Sequence, residues 1–286
     1  MKPSYLLAVG ALFLGLAVTP ANAQVIYENF NYTLSANLDG QNGGTGFSAA
    51  WATPGIKLTA TITAGLTFGS NFTTSGNAAL VSNGFGDGSN SDWGPNNVIG
   101  RAVTTPIAGT YWQSHLINIS DRGADVNFAA VGTGNSAANF AGVSPVGYNG
   151  TNMHIRSDGS DGTYGSAGAV VGTTYLMLAK YSSTQTDAWM FTLAGYDTWV
   201  AGGATEGTLS ANAFNTGMRL NDASFTGGLL IGGYAYNAPI IATIDEIRFG
   251  STVNDVTTSP IPEPSTFAAF AGLAALGLAA SRRRRA

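Results

Sequence analysis

From Lys57 to Phe68 the chain alternates without a slip. Leu58, Ala60, Ile62, Ala64, Leu66 and Phe68 fall on one side, and Lys57, Thr59, Thr61, Thr63, Gly65 and Thr67 on the other. Successive residues of a strand point to opposite faces, so the pattern is a strand buried on one side, or two with a bend near Gly65. Further β-rich runs lie at Ala78–Val81, Asn97–Val103, Thr110–Ser120, Asp125–Val131 and Met153–Arg156. Others follow at Ala169–Tyr181, Thr186–Leu193, Gly228–Tyr236 and Pro239–Phe249. Turn-forming patches such as Asn83–Gly88 and Ser157–Gly162 separate them. No segment before Thr266 carries a 3.6-residue apolar stripe of helical length. Many short strands with short connections predict an all-β fold, a two-sheet sandwich of jelly-roll type. The absence of a fixed-period repeat argues against a solenoid or a propeller.

Composition narrows the class further. Glycine is 39 of 286 residues, about twice the usual ~7%, and charged residues are 10% against a typical ~25%. Aromatic residues at 10% are too many for a disordered chain. There are no cysteines, so neither disulfides nor thiolate metal sites are available and the core must hold the fold alone. All 16 acidic side chains but only seven of the 12 basic ones lie between Gln24 and Pro264, a net charge of −9. That balance argues against nucleic acid and anionic membranes as partners.

The two ends read as processing segments. Lys2, the apolar run Leu6–Val18 and the small-x-small triplet Ala21-Asn22-Ala23 are the three ordered parts of a secretory signal. Signal peptidase is then a partner, and the mature chain begins at Gln24. At the other end, Pro262-Glu263-Pro264-Ser265 precedes an uncharged stretch from Thr266 to Ala280 and then Arg282-Arg283-Arg284-Arg285. That stretch spans only about 22 Å as a helix, short for a bilayer core of ~30 Å. The arginines stay on the cytoplasmic side. The two prolines keep the juxtamembrane backbone extended and accessible to a protease or transpeptidase. The expected organisation is a signal peptide over 1–23, one sandwich over 24–250, a linker over 251–261 and a sorting segment over 262–286.

That C-terminal order resembles the PEP-CTERM sorting signal. The resemblance implies a transient inner-membrane anchor, processing by an exosortase, and delivery to the surface or matrix of a Gram-negative bacterium. Pro262, Glu263, Pro264 and Ser265 would be its recognition element. A second resemblance lies at the edges of the middle region. Tyr27-Glu28-Asn29-Phe30-Asn31-Tyr32, the run from Leu38 to Phe47, and Trp51 are similar to the opening of exported concanavalin A-like (laminin-G-like) sandwiches. Ile244-Asp245-Glu246-Ile247-Arg248-Phe249-Gly250 is similar to the last strand of that group. Its first and last strands lie close together, which suits a tail leaving beside them.

Catalytic patterns are sparse. Laminarinase-type glycosidases of the resembled fold need two glutamates around an aspartate on one strand, whose same-side spacing sets carboxyl groups ~5–5.5 Å apart. Before the tail the only glutamates are Glu28, Glu206 and Glu246, and none has that spacing. Asp245 and Glu246 are adjacent and on a regular strand would face opposite sides, one bonding the strand edge and one partnering Arg248. No Gly-x-Ser-x-Gly elbow is present, since Gly46-Phe47-Ser48-Ala49-Ala50 fails at its last position. His115 and His154 are isolated within β-rich runs and too few for zinc. Calcium is the candidate ion, at Asp87-Gly88-Ser89-Asn90-Ser91-Asp92 and, less well, at Asp158-Gly159-Ser160-Asp161. The same residues also suit plain turns. Of the five tryptophans, Trp51, Trp93, Trp112, Trp189 and Trp199, the strand residues Trp112 and Trp189 read as core. Trp93, beside Asp92 in a polar loop, is the candidate for stacking on a sugar. These readings converge on an exported, non-enzymatic surface or matrix protein with no required cofactor and extracellular polysaccharide as candidate ligand. The alternative is a secreted glycoside hydrolase or lyase on the same sandwich.

Overall fold

A computed structural model describes residues 26–52, 58–83, 98–122, 128–134, 141–145, 152–157, 160–161, 168–220, 227–234 and 239–257. Among these described residues, fourteen strands are numbered in chain order. They are β1 Ile26–Glu28, β2 Leu58–Ala64, β3 Asn77–Asn83, β4 Val98–Ala102, β5 Tyr111–Asp121, β6 Phe128–Thr133 and β7 Ala141–Ser144. The rest are β8 His154–Ser157, β9 Ser160–Asp161, β10 Thr174–Tyr181, β11 Gln185–Phe191, β12 Phe214–Leu220, β13 Gly228–Tyr234 and β14 Ile241–Gly250. One sheet has eight strands in the order β12-β11-β10-β5-β14-β3-β2, with β1 also on β14. The other has six, β4-β13-β6-β7-β8-β9. The pairings are antiparallel, and the inner faces of both sheets enclose one large apolar core. The expected two-sheet sandwich is the observed architecture.

Residue patterning explains the layers. In β2, Leu58, Ala60 and Ile62 are buried while Thr59 and Thr61 are exposed. The alternation ends at the exposed Ala64, and Gly65 starts a loop rather than continuing the strand. That loop must pass close to its own return: a Cβ on Gly65 would sit 2.9 Å from the Gly76 carbonyl oxygen. At Gly76, φ is +73° and a Cβ would sit 2.4 Å from the Asn29 carbonyl oxygen. We expect Gly76→Ala to lower stability by at least ~1–2 kcal/mol, from the left-handed backbone alone, before any cost of the clash. Urea unfolding measures it; an unchanged midpoint would show that the loop relaxes freely.

The outer face of the eight-stranded sheet carries a second core. Trp112, Leu116, Leu176, Leu178, Trp189 and Phe191 project there, alternating with inward residues of the same strands. They are roofed by Phe68, Phe72 and three helices, α1 Leu193–Ala201, α2 Leu209–Asn212 and α3 Val253–Thr257. Trp112 and Trp189 are buried as expected, but under this roof rather than between the sheets, stacked at 5.8 Å. No helix was expected before Thr266, and α1 corrects that. It is only nine residues long and buries just Tyr196 and Trp199, three positions apart, too little for a readable stripe. Its first turn is capped by Thr192, whose hydroxyl accepts from the Gly195 amide. The segment expected as a linker from Ser251 also begins folded: Val253, Val256 and Thr257 are buried in α3.

Candidate functional site

The first strand is held from both sides by buried ion pairs. β14 meets β5 along one edge and, along the other, β3 at Ile241–Ile244 and β1 at Ile247–Phe249. Tyr27 and Glu28 of β1 therefore point to opposite faces beside the centre of the larger sheet. Glu28 turns inward to Arg101 of β4, whose Nη1 lies 2.6 Å from its Oε2, both side chains fully buried. The same oxygen accepts from Trp51 Nε1 at 3.0 Å and the Tyr32 hydroxyl at 2.9 Å, and Oε1 accepts from the Phe30 amide. Arg101 also donates to the Gly43 and Ala49 carbonyls and to Asn42 Oδ1, with the Phe47 ring 3.9 Å from its Cζ. The N-terminal motif that resembles sandwich openings thus encloses one guanidinium. Arg101 was not singled out from sequence; its signal is a lone charge in the apolar run Val98–Val103.

On the opposite face, Tyr27 donates to Glu246 Oε2 at 2.8 Å, and Arg248 Nη2 reaches the same oxygen at 2.6 Å. The Arg248 guanidinium packs against the Phe72 ring at 4.2 Å. Glu246 is thereby the carboxylate that partners Arg248. The expected opposite facing of Asp245 and Glu246 does not hold. The register slips between Asp245 and Arg248, and Glu246 takes φ +51°, a bulge that turns both carboxylates toward the 65–76 loop. There Asp245 accepts from the Leu66 amide at 2.8 Å and Glu246 from the Ser75 amide.

Burial, and then the neighbouring Glu246 charge, push the Asp245 carboxyl up to about 8, against the lowering effect of its two amide bonds. A folded value above the unfolded one means that the native state holds the proton more tightly. Stability from this group is therefore full below about pH 4 and declines as pH rises towards 8. Asp245→Asn removes that slope. We expect its deficit relative to the parent protein to be largest near pH 4 and to shrink towards pH 8, measured by denaturant unfolding across pH. A pH-independent deficit would contradict this.

The other expected site residues resolve as follows. His115 lies wholly buried in the main core, its Nδ1 3.1 Å from Gln113 Nε2, and burial pushes it down to about 3. His154 is buried in β8. Among the described residues no group of three or more His, Cys, Asp or Glu side chains could hold a metal. Asp87–Asp92, Trp93, Asp158 and Gly159 lie outside the described residues; Ser160 and Asp161 form β9 against β8. Trp51 and Trp199 are buried, the former stacked on Phe30 at 5.9 Å. Glu206 pairs with Lys180 at the surface. Ala21, Ala23, Gln24, Pro262–Ser265 and Arg282–Arg285 also lie outside the described residues.

The open concavity of most interest is on the outer face of the six-stranded sheet. It has a volume of about 360 Å³ and runs along β4 and β13, lined by Ala49, Ala52, Val98, Gly100, Ala102 and Leu230 among others. Glycine at 100 suits this close approach, because a Cβ there would sit 2.9 Å from the Leu229 carbonyl oxygen and would also displace the end of the Leu230 side chain. The lining is small and apolar, and Val98 follows directly on the segment that carries Trp93.

Residues 260–285 match the model of the PEP-CTERM protein-sorting motif. The motif implies an exported protein with a C-terminal sorting tail, and its match covers none of the described sandwich. No helix among the described residues is long and apolar enough to cross a membrane. No curated protein matches the chain. Among solved structures, it is similar to a mutant of the GH43 protein BlXynB from Bacillus licheniformis. That likeness is 15% identical, covers 62% of this chain and 34% of that one, and has a TM-score of 0.40. The chain thus spans about a third of that protein's length. It is also similar to endo-β-1,4-glucuronan lyase from the fungus Trichoderma reesei, at 10% identity, 79% and 98% coverage and a TM-score of 0.46. The carbohydrate-binding module CBM66 from Bacillus subtilis is a third, at 10% identity, 66% and 97% coverage and a TM-score of 0.37.

Proposed function

We propose that this protein is an exosortase-processed surface or matrix protein that binds extracellular polysaccharide without cleaving it. The sorting motif over residues 260–285 carries the reading, because it ties the folded domain to an export and processing route. The three glutamates before that motif support the non-enzymatic part. Glu28 and Glu246 are buried in arginine ion pairs that hold β1 in place, and Glu206 pairs with Lys180. A carboxylate committed in this way is a poor proton donor to a substrate in a cleft. The groove along β4 is the proposed binding surface. Glycine and alanine leave the sheet open to close approach by a flat polymer, and its volume falls in the range of ordinary ligand sites. Trp93, five residues before Val98, would supply the ring on which a sugar stacks.

The test is a pull-down of the purified domain with matrix polysaccharides, alongside reducing-end and unsaturated-product assays. Binding without product formation is expected. Trp93→Ala and the groove-filling Ala102→Trp are each expected to weaken binding about tenfold or more, on the scale of ~1.4 kcal/mol per decade. Release of new reducing ends or of unsaturated products would replace this reading with the hydrolase or lyase. Binding that neither substitution alters would remove the groove from it.

A further inference from the structure

The cap fixes where the chain leaves the domain. Val253 and Val256 of α3 are buried on the outer face of the eight-stranded sheet, where the Ser114 hydroxyl donates to the Val256 carbonyl. The Tyr196 hydroxyl of α1 donates to the Thr257 carbonyl at 2.7 Å, and Asp255 Oδ2 accepts the Thr252 amide at 2.8 Å. The groove opens on the opposite side of the sandwich, on the outer face of the six-stranded sheet. Eight residues, 258 to 265, lie between Thr257 and the apolar run that starts at Thr266. Fully extended they reach about 28 Å, at ~3.3–3.6 Å each. A domain of this size has a radius of about 22 Å, so a path around it from one face to the other is about 70 Å. The tether is far too short to bring the groove to the bilayer.

We infer that, while the tail holds it, the domain sits on the membrane by its helical cap and presents the groove of the six-stranded sheet away from the lipid. The ligand that this face meets is then a polymer in the surrounding medium rather than a lipid headgroup. The inference rests on the reading of Thr266–Ala280 as a membrane-inserted segment.

The chain has no cysteines, so single-cysteine labelling is clean. Gly207 of the cap has open space around its Cβ direction, and Ala102 is exposed in the groove. The experiment uses the full chain, as Gly207→Cys or Ala102→Cys with a fluorophore attached. Each is reconstituted in phosphatidylethanolamine–phosphatidylglycerol vesicles carrying nitroxide headgroups. Flotation reports insertion of the tail, and quenching reports the mount. Co-flotation with severalfold stronger quenching at residue 207 than at 102 is expected. A flexible insert of about 20 Gly/Ser residues after Thr257, with an extended reach of ~70 Å, should abolish the difference. Equal quenching in a floating chain without the insert overturns the mount and leaves the inserted tail standing. Failure to float overturns the tail reading, and the mount with it.

Discussion

Replacing Arg101 with methionine is expected to destabilise the domain by ~3–5 kcal/mol, because it leaves Glu28 charged, buried and unpaired. For a domain of this size that is a fall in Tm on the order of 10 °C. The side chain satisfies more than one carboxylate: it also holds the Gly43 and Ala49 carbonyls and Asn42, and so pins the 42–51 loop to β4. Arg101→Lys should recover little, since one ammonium cannot reproduce the planar fork that reaches these acceptors. The double variant Glu28→Gln with Arg101→Met should be less damaged than the sum of the singles, because no lone charge remains. Thermal and urea unfolding of the four proteins measure the coupling. Additive losses would show that the pair acts through packing rather than charge.

Trp199→Ala should be comparably severe, ~3–5 kcal/mol for a fully buried tryptophan. Its effect should be local first. Trp199 packs on Phe191 at 5.4 Å and Tyr196 at 5.9 Å, all within the cap cluster and none in the main core between the sheets. Its indole nitrogen also holds the Thr205 carbonyl at 2.9 Å. Losing it should loosen α1 and, through Tyr196, the Thr257 contact. Hydrogen exchange should then rise in 193–212 and 251–257 before it rises in β5 or β10. Uniform loss of protection would mean that cap and sandwich unfold as one unit.

The legibility of this chain follows from the range of the interactions involved. β2 was readable because one-sided burial leaves a period of two in the residues themselves, whereas β5, β10 and β14, buried on both faces, were readable as runs of β-branched, aromatic and other apolar residues. β12 was not: Phe214, Met218 and Leu220 alternate with Asn215, Gly217 and Arg219, but Thr216 and Gly217 interrupt the pattern at its middle, and the segment is a strand through its pairing with β11. The short α1 was hidden because Tyr196 and Trp199 are its only buried residues, too few to write a 3.6-residue stripe. Likewise, adjacency alone placed Asp245 and Glu246 on opposite faces, and only the bulge between β1 and β3 turned them the same way.

What the sequence by itself determined is the all-β class, the alternating strands and the sorting tail, all of them written in contiguous residues. The tertiary structure decided the rest. It chose Arg101 as the partner of Glu28 across 73 positions, moved Trp112 and Trp189 from the sandwich interior to a capped outer face, and set the tail's exit opposite the groove. A residue's period can be read along the chain, but its partners are fixed only when distant strands are brought within a few ångströms, and burial then makes each unpaired charge too costly to leave.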